Sequence, residues 1–80
     1  MNDYADSFHV CQSMQLAASA ILDDVTGNPD VLNIPAYREL TDRVYLAARQ
    51  ASHLARILGD DQTAKFTDGI CEKMIQVANL

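Results

Sequence analysis

The chain has 80 residues, a formal net charge of −5, a pI near 4.6 and 49% hydrophobic residues. That is one domain, able to bury only about 60–65% of the surface its unfolded form exposes, yet too apolar to be intrinsically disordered. The acidic balance excludes non-specific nucleic-acid binding, which needs cations over the contact surface, and no apolar run approaches the ~20 residues that cross a bilayer.

Charge is segregated along the chain. Residues 1–36 hold five Asp and no Lys or Arg, residues 37–58 hold four Arg against Glu39 and Asp42, and residues 59–80 hold four acids against Lys65 and Lys73. Acidic and basic surfaces therefore belong to different elements. The first residues, MNDYADSF, show neither the basic nor the apolar region of a secretory signal, so the expected location is the cytoplasm. In that compartment Cys11 and Cys71 read as reduced, buried, small hydrophobes rather than a disulfide pair.

A first helix is expected over about residues 3–26, capped by Asp3 and stopped by a left-handed Gly27. Tyr4, Phe8, Cys11, Ala18, Leu22 and Val25 form one apolar stripe, and Val10, Met14, Ala17 and Ile21 form another beside it. No residue between Ser7 and Leu22 carries a full charge. A helix so poor in charge is contacted on more than one side, by the rest of the bundle or by a partner near Leu16 and Ala20.

The connection GNPDVLNIP is rich in turn formers, with Pro35 suited to the first turn of the next helix. Its apolar Val31, Leu32 and Ile34 suggest that it folds back over the bundle end or serves as a partner-binding loop.

A second helix follows over about 36–58. Tyr37, Leu40, Val44, Ala47, Ala51, Leu54 and Leu58 alternate at spacings of three and four, which predicts the buried seam of a helix packed lengthwise. Gly59 ends it, and Asp60 or Asp61 caps a third helix to about residue 79, whose buried set reads as Phe66, Ile70, Cys71, Met74, Val77 and Ala78, with Lys65, Asp68, Glu72 and Lys73 outside. The turn is short enough to make the second and third helices antiparallel neighbours. Gly69, inside the third helix, reads as a close helix contact or a kink.

The expected fold is all-α: a small antiparallel three-helix bundle forming a single domain over residues 1–80, with a close contact between the Ala-rich faces of its first two helices. The second helix, about 35 Å long, exceeds what a compact chain of this size needs. That excess and the outward Leu16, Leu46 and Ile57 invite a homodimer through helix faces.

No phosphate-binding glycine loop, nucleophile elbow, Cys-x-x-Cys or His-Glu-x-x-His is present, so no enzyme activity, cofactor or metal is expected. His9 and His53 fall at similar heights with Cys11 nearby, but His9 and Cys11 point in different directions on their helix, which serves a shared metal poorly. The segment His53-Leu-Ala-Arg56 resembles the phospho-accepting helix of histidine phosphotransfer domains, in which a basic residue follows a surface His by three. Those domains carry Gly after the basic residue and are larger four-helix bundles, whereas Ile57 stands here in a chain of 80.

Arg49, His53 and Arg56 share one helical face, and with Arg38 they make the candidate contact surface. Arg is favoured at interfaces because its planar head pairs bidentately and stacks. Two functions are compatible with this surface: a small acidic regulator or inhibitor that docks on a larger protein, or an anion, nucleotide or phosphoryl-accepting module built on Arg49, His53 and Arg56. A third possibility for the Arg49, His53 and Arg56 face is a solvated polar surface balanced by acidic neighbours.

Overall fold

A computed structural model describes the backbone of residues 3–80 and the side chains from Phe8 onward. The expected Asp3 cap and the place of Tyr4 in the first stripe lie outside the described side chains. Three helices, α1 (Asp3–Gly27), α2 (Pro35–Ile57) and α3 (Asp61–Ala78), each pack against the other two. The architecture is the expected three-helix bundle. The antiparallel register of α1 and α2 is visible in two hydrogen bonds: the Cys11 thiol donates to the Ala51 carbonyl at 3.3 Å, and the Tyr37 hydroxyl donates to Asp24 at 3.1 Å. No helix among the described residues is long and apolar enough to cross a membrane.

The connections differ in how they stop a helix. Gly27 is the last residue of α1 without a left-handed conformation, and the Asn28 N–H simply continues the ladder to Asp24 O at 2.8 Å, so the expected glycine stop does not form there. A single 3₁₀ segment, Pro29–Asn33, then turns the chain, with the Asn28 side chain accepting from the Asp30 N–H and Pro35 opening α2. Val31 and Leu32 fold back over the bundle end, while Ile34 stays exposed.

At the other end Gly59 has φ 86°, a conformation that costs glycine little and other residues more. Its N–H reaches Arg56 O at 3.1 Å and the next N–H, of Asp60, reaches Ala55 O at 2.8 Å, the paired bonds of a Schellman stop. Asp60 closes α2 through its backbone and opens α3 through its side chain, which accepts from the Thr63 N–H. A Cβ at Gly69 would meet nothing within 4 Å, so no close helix contact requires that glycine.

The core has two parts. Ala18, Ile21, Val25 and Met74 anchor the end near the long connection, joined by Leu22, Tyr37, Val44, Ile70 and others. Toward the Gly59 end its described members are Cys11, Ala51, Ala55 and Ala64, with Met14 against them. The two fully buried threonines satisfy themselves locally: Thr41 donates to Tyr37 O and Thr67 to Thr63 O. Thr67 also accepts from Gln15 of α1 at 3.0 Å.

The phase of α2 corrects the expected seam. Its buried residues are Thr41, Ala48, Ala51, Ser52 and Ala55, with Tyr37, Val44 and Leu58 half-buried. Leu40 and Leu54, expected inside, remain 49% and 42% exposed. The helix has turned so that its small side chains face its neighbours, because small residues let helix axes approach and bulky ones hold them apart. Phe8, Phe66 and Val77 are likewise exposed rather than buried, whereas Cys71, Met74 and Ala78 are inside as expected.

Candidate functional site

The α2 ridge facing α3 is where the expected basic surface and the observed polar network coincide. Arg49 and Arg56 lie two turns apart, with Ser52 between them and buried against α3. Opposite stands Asp68, expected outside but in fact lodged between the helices with its side chain only 29% exposed. One carboxylate oxygen takes the Ser52 hydroxyl at 2.5 Å, the other takes Arg56 Nη2 at 2.9 Å, and Arg49 stands 4.0 Å away. Burial alone would raise the Asp68 carboxyl, but the hydrogen bonds from Ser52 and Arg56 and the charges of Arg56 and Arg49 outweigh it, so its pKa falls below the ordinary value.

Two guanidinium groups therefore share one carboxylate, and the cluster keeps one uncompensated positive charge. Both arginines remain about half exposed. His53 is exposed on the same helix, and Arg38 lies at its far end, exposed and in no ion pair among the described residues. Arg43, by contrast, is paired within its own helix to Glu39 at 2.7 Å.

Cys71 lies one turn beyond Asp68, buried, and burial holds its thiol above the usual range against the pull of Arg49. A protonated, enclosed thiol is not a nucleophile. Cys11 and Cys71 are both unbridged and buried. Among the described residues no three His, Cys, Asp or Glu side chains are grouped to hold a metal, and His9, Cys11 and His53 are not brought together as one.

The candidate apolar contacts Leu16, Leu46 and Ile57 are all exposed. Leu46 and Ile57 share the outer side of α2. Leu16 projects from α1 two residues before buried Ala18, roughly 200° around that helix, and so lies on the outward side of α1, apart from Leu46 and Ile57 of α2. Between α1 and α2 runs an open apolar groove of about 360 Å³ lined by Val10, Met14, Ala47, Gln50, Ala51 and Leu54. It contains no acid, base or nucleophile.

Ser52 and Asp68 are the site residues that pattern reading missed, although a signal for them existed. The short turn around Gly59, residues 58–60, sets an antiparallel register in which residue 52 stands across from residue 68. Asp68 also follows Ala64 by four and precedes Cys71 by three, the spacing of the buried column.

Compared with known proteins, the chain matches no family model, no curated protein and no solved structure.

Proposed function

We propose that the protein is a small binding regulator or inhibitor that docks on a larger protein through the Arg49, His53 and Arg56 side of α2 and carries out no reaction of its own. The observation that supports this reading is the imbalance at Asp68: two half-exposed guanidiniums meet one carboxylate, leaving a cationic spot on a chain of net charge −5. Asp68, itself held by Ser52, fixes the Arg56 head from behind, so its outward N–H groups are offered with less of the rotamer entropy that a free arginine loses on binding. The fitting partner is an acidic protein face.

An anion-binding or phosphoryl-accepting module would use the same residues. The Asp68 carboxylate stands between Arg49 and Arg56, where a phosphate would need to sit, and repels it. A protein carboxylate approaching from outside avoids that position, which is why docking on a protein is the preferred reading.

The separating experiment compares the wild type with a variant carrying Arg49→Ala, His53→Ala and Arg56→Ala, each checked for helicity by circular dichroism. Affinity capture from the cell of origin should retain a protein on the wild-type chain that the variant loses, and retention should weaken as salt is raised. Identical capture by both chains would remove this surface from the function. A phosphate or nucleotide response present in the wild type and lost in the variant would establish the anion module instead.

A further inference from the structure

The outer side of α2 carries a second column at helix-packing spacing, one position away from the buried one: Leu40, Arg43, Ala47, Gln50, Leu54 and Ile57, at intervals of three, four, three, four and three. Such an alternation is what one helix presents to another along its length, here over about 26 Å. The buried column of the same helix is made of Thr41, Ala48, Ala51 and Ala55, while this outer column has the larger apolar groups. Among the described residues no element covers its large side chains: Leu40, Leu54 and Ile57 are 49%, 42% and 66% exposed, while Ala47 is half-buried beside α1.

The column reads nearly the same in both directions about Ala47: leucine, polar, alanine, polar, leucine. A surface with that symmetry is complementary to itself under a two-fold axis through Ala47 and perpendicular to the helix. We propose that this face is a self-association surface, on which two copies of the chain pair their α2 helices antiparallel.

Charge selects the second copy and its direction. In an antiparallel pair Arg43 lies across from Gln50 of the other copy, whose amide oxygen accepts from the guanidinium. A parallel pair would set Arg43 against Arg43 and Glu39 against Glu39, at a cost of like-charge repulsion. Leu46, on one flank, meets Leu46. Arg43 is already neutralised by Glu39 within its own chain, so the pairing leaves no net charge at the seam.

The other flank is formed by α1, which has no full charge between Ser7 and Leu22. Pairing along this flank therefore sets no carboxylate of residues 8–22 against another. Ala47 at the axis lets the two backbones approach. The groove between Val10 and Met14 of α1 and Ala47 and Leu54 of α2 then receives Leu40 of the second copy, which antiparallel pairing places beside Leu54. Arg49 and Arg56 lie on the opposite flank of α2, against α3, and stay open in the pair, so this inference stands apart from the docking role proposed for them.

Sedimentation equilibrium of the full chain at about 100 μM should give twice the 8.8 kDa chain mass, and Leu54→Asp should return it to the single mass with unchanged helicity. Direction is read by cross-linking. Arg43→Cys and Gln50→Cys chains, oxidised together, should form the mixed disulfide several-fold in excess of either self-linked product. A wild type of single mass at that concentration overturns the proposal. Self-linking of each cysteine variant without the mixed product overturns the antiparallel arrangement, and a double mass that Leu54→Asp does not change overturns the choice of face.

Discussion

Ser52 has one hydroxyl proton and two acceptors within reach, the Ala64 carbonyl at 3.2 Å and the Asp68 carboxylate at 2.5 Å. The charged acceptor is nearer and forms the stronger bond, so the proton belongs to Asp68. Asp68 consequently ties α2 to α3 through one hydroxyl and two guanidiniums, and it is the ionised form that is tied. Its folded pKa lies below that of an ordinary aspartate, so the stabilisation is complete above the unfolded pKa and is lost as pH falls through the folded pKa. Asp68→Asn keeps the shape and removes the titration. At pH 7 the variant should be less stable by about 1 kcal/mol, a partly exposed charged hydrogen bond being worth no more. Urea midpoints measured from pH 7 down to pH 2 should show that gap closing below pH 4. A gap that stays constant would mean that Asp68 acts by packing alone.

At the scale of the helix, what could be read in the residues and what could not separate cleanly in α2. Its existence, its ends and its antiparallel partner were legible, since Pro35, Gly59 and Asp60 each act through local backbone chemistry. Its rotation was not. Apolar residues occupy adjacent columns, and the column with the leucines is the natural guess for the core, whereas three helices packing at close range favour the column with Thr41, Ala48 and Ala55. That one-position error propagates to the candidate site. Arg49 and Arg56 were recognisable from their spacing, but nothing in the spacing tied Ser52 to an acid of the third helix, and Asp68 looked solvated for the same reason that Phe66 looked buried. Two substitutions measure the phase directly. Ala55→Leu forces extra atoms into a position that is 0% exposed and should cost about 1–3 kcal/mol in a denaturant titration. Phe66→Ala, at a position 63% exposed, should cost less than about 1 kcal/mol, against the 3–5 kcal/mol expected of a buried phenylalanine. Reversal of that order would restore the leucine-centred core.

The whole molecule is longer than its length in residues requires. Its radius of gyration is 13.0 Å, with extents of 41 × 20 × 16 Å, whereas a compact chain of 80 residues has a radius near roughly 11.6 Å. A rod exposes more surface for the same volume, and toward the Gly59 end the core formed by the described residues is alanine and cysteine, small side chains that each bury little apolar area. Pairing through the outer column of α2 would supply apolar burial next to that end, where Val10, Met14 and Leu54 line the groove. Folding and association are then linked, and stability must depend on concentration. For a fully dimeric chain, a hundredfold rise in concentration adds about 2.7 kcal/mol per dimer, or about 1.4 kcal/mol per chain. In a domain of this size each kcal/mol moves the melting temperature by about 4–8 °C, so thermal unfolding followed by circular dichroism at 5 μM and 500 μM, as rough working limits, should differ by roughly 5–10 °C. Leu54→Asp should melt at the same temperature at both concentrations. A wild-type melt that does not move with concentration would leave the α2 column bare in solution, and the bundle would then owe its stability to the end built on Ile21, Val25 and Met74 alone.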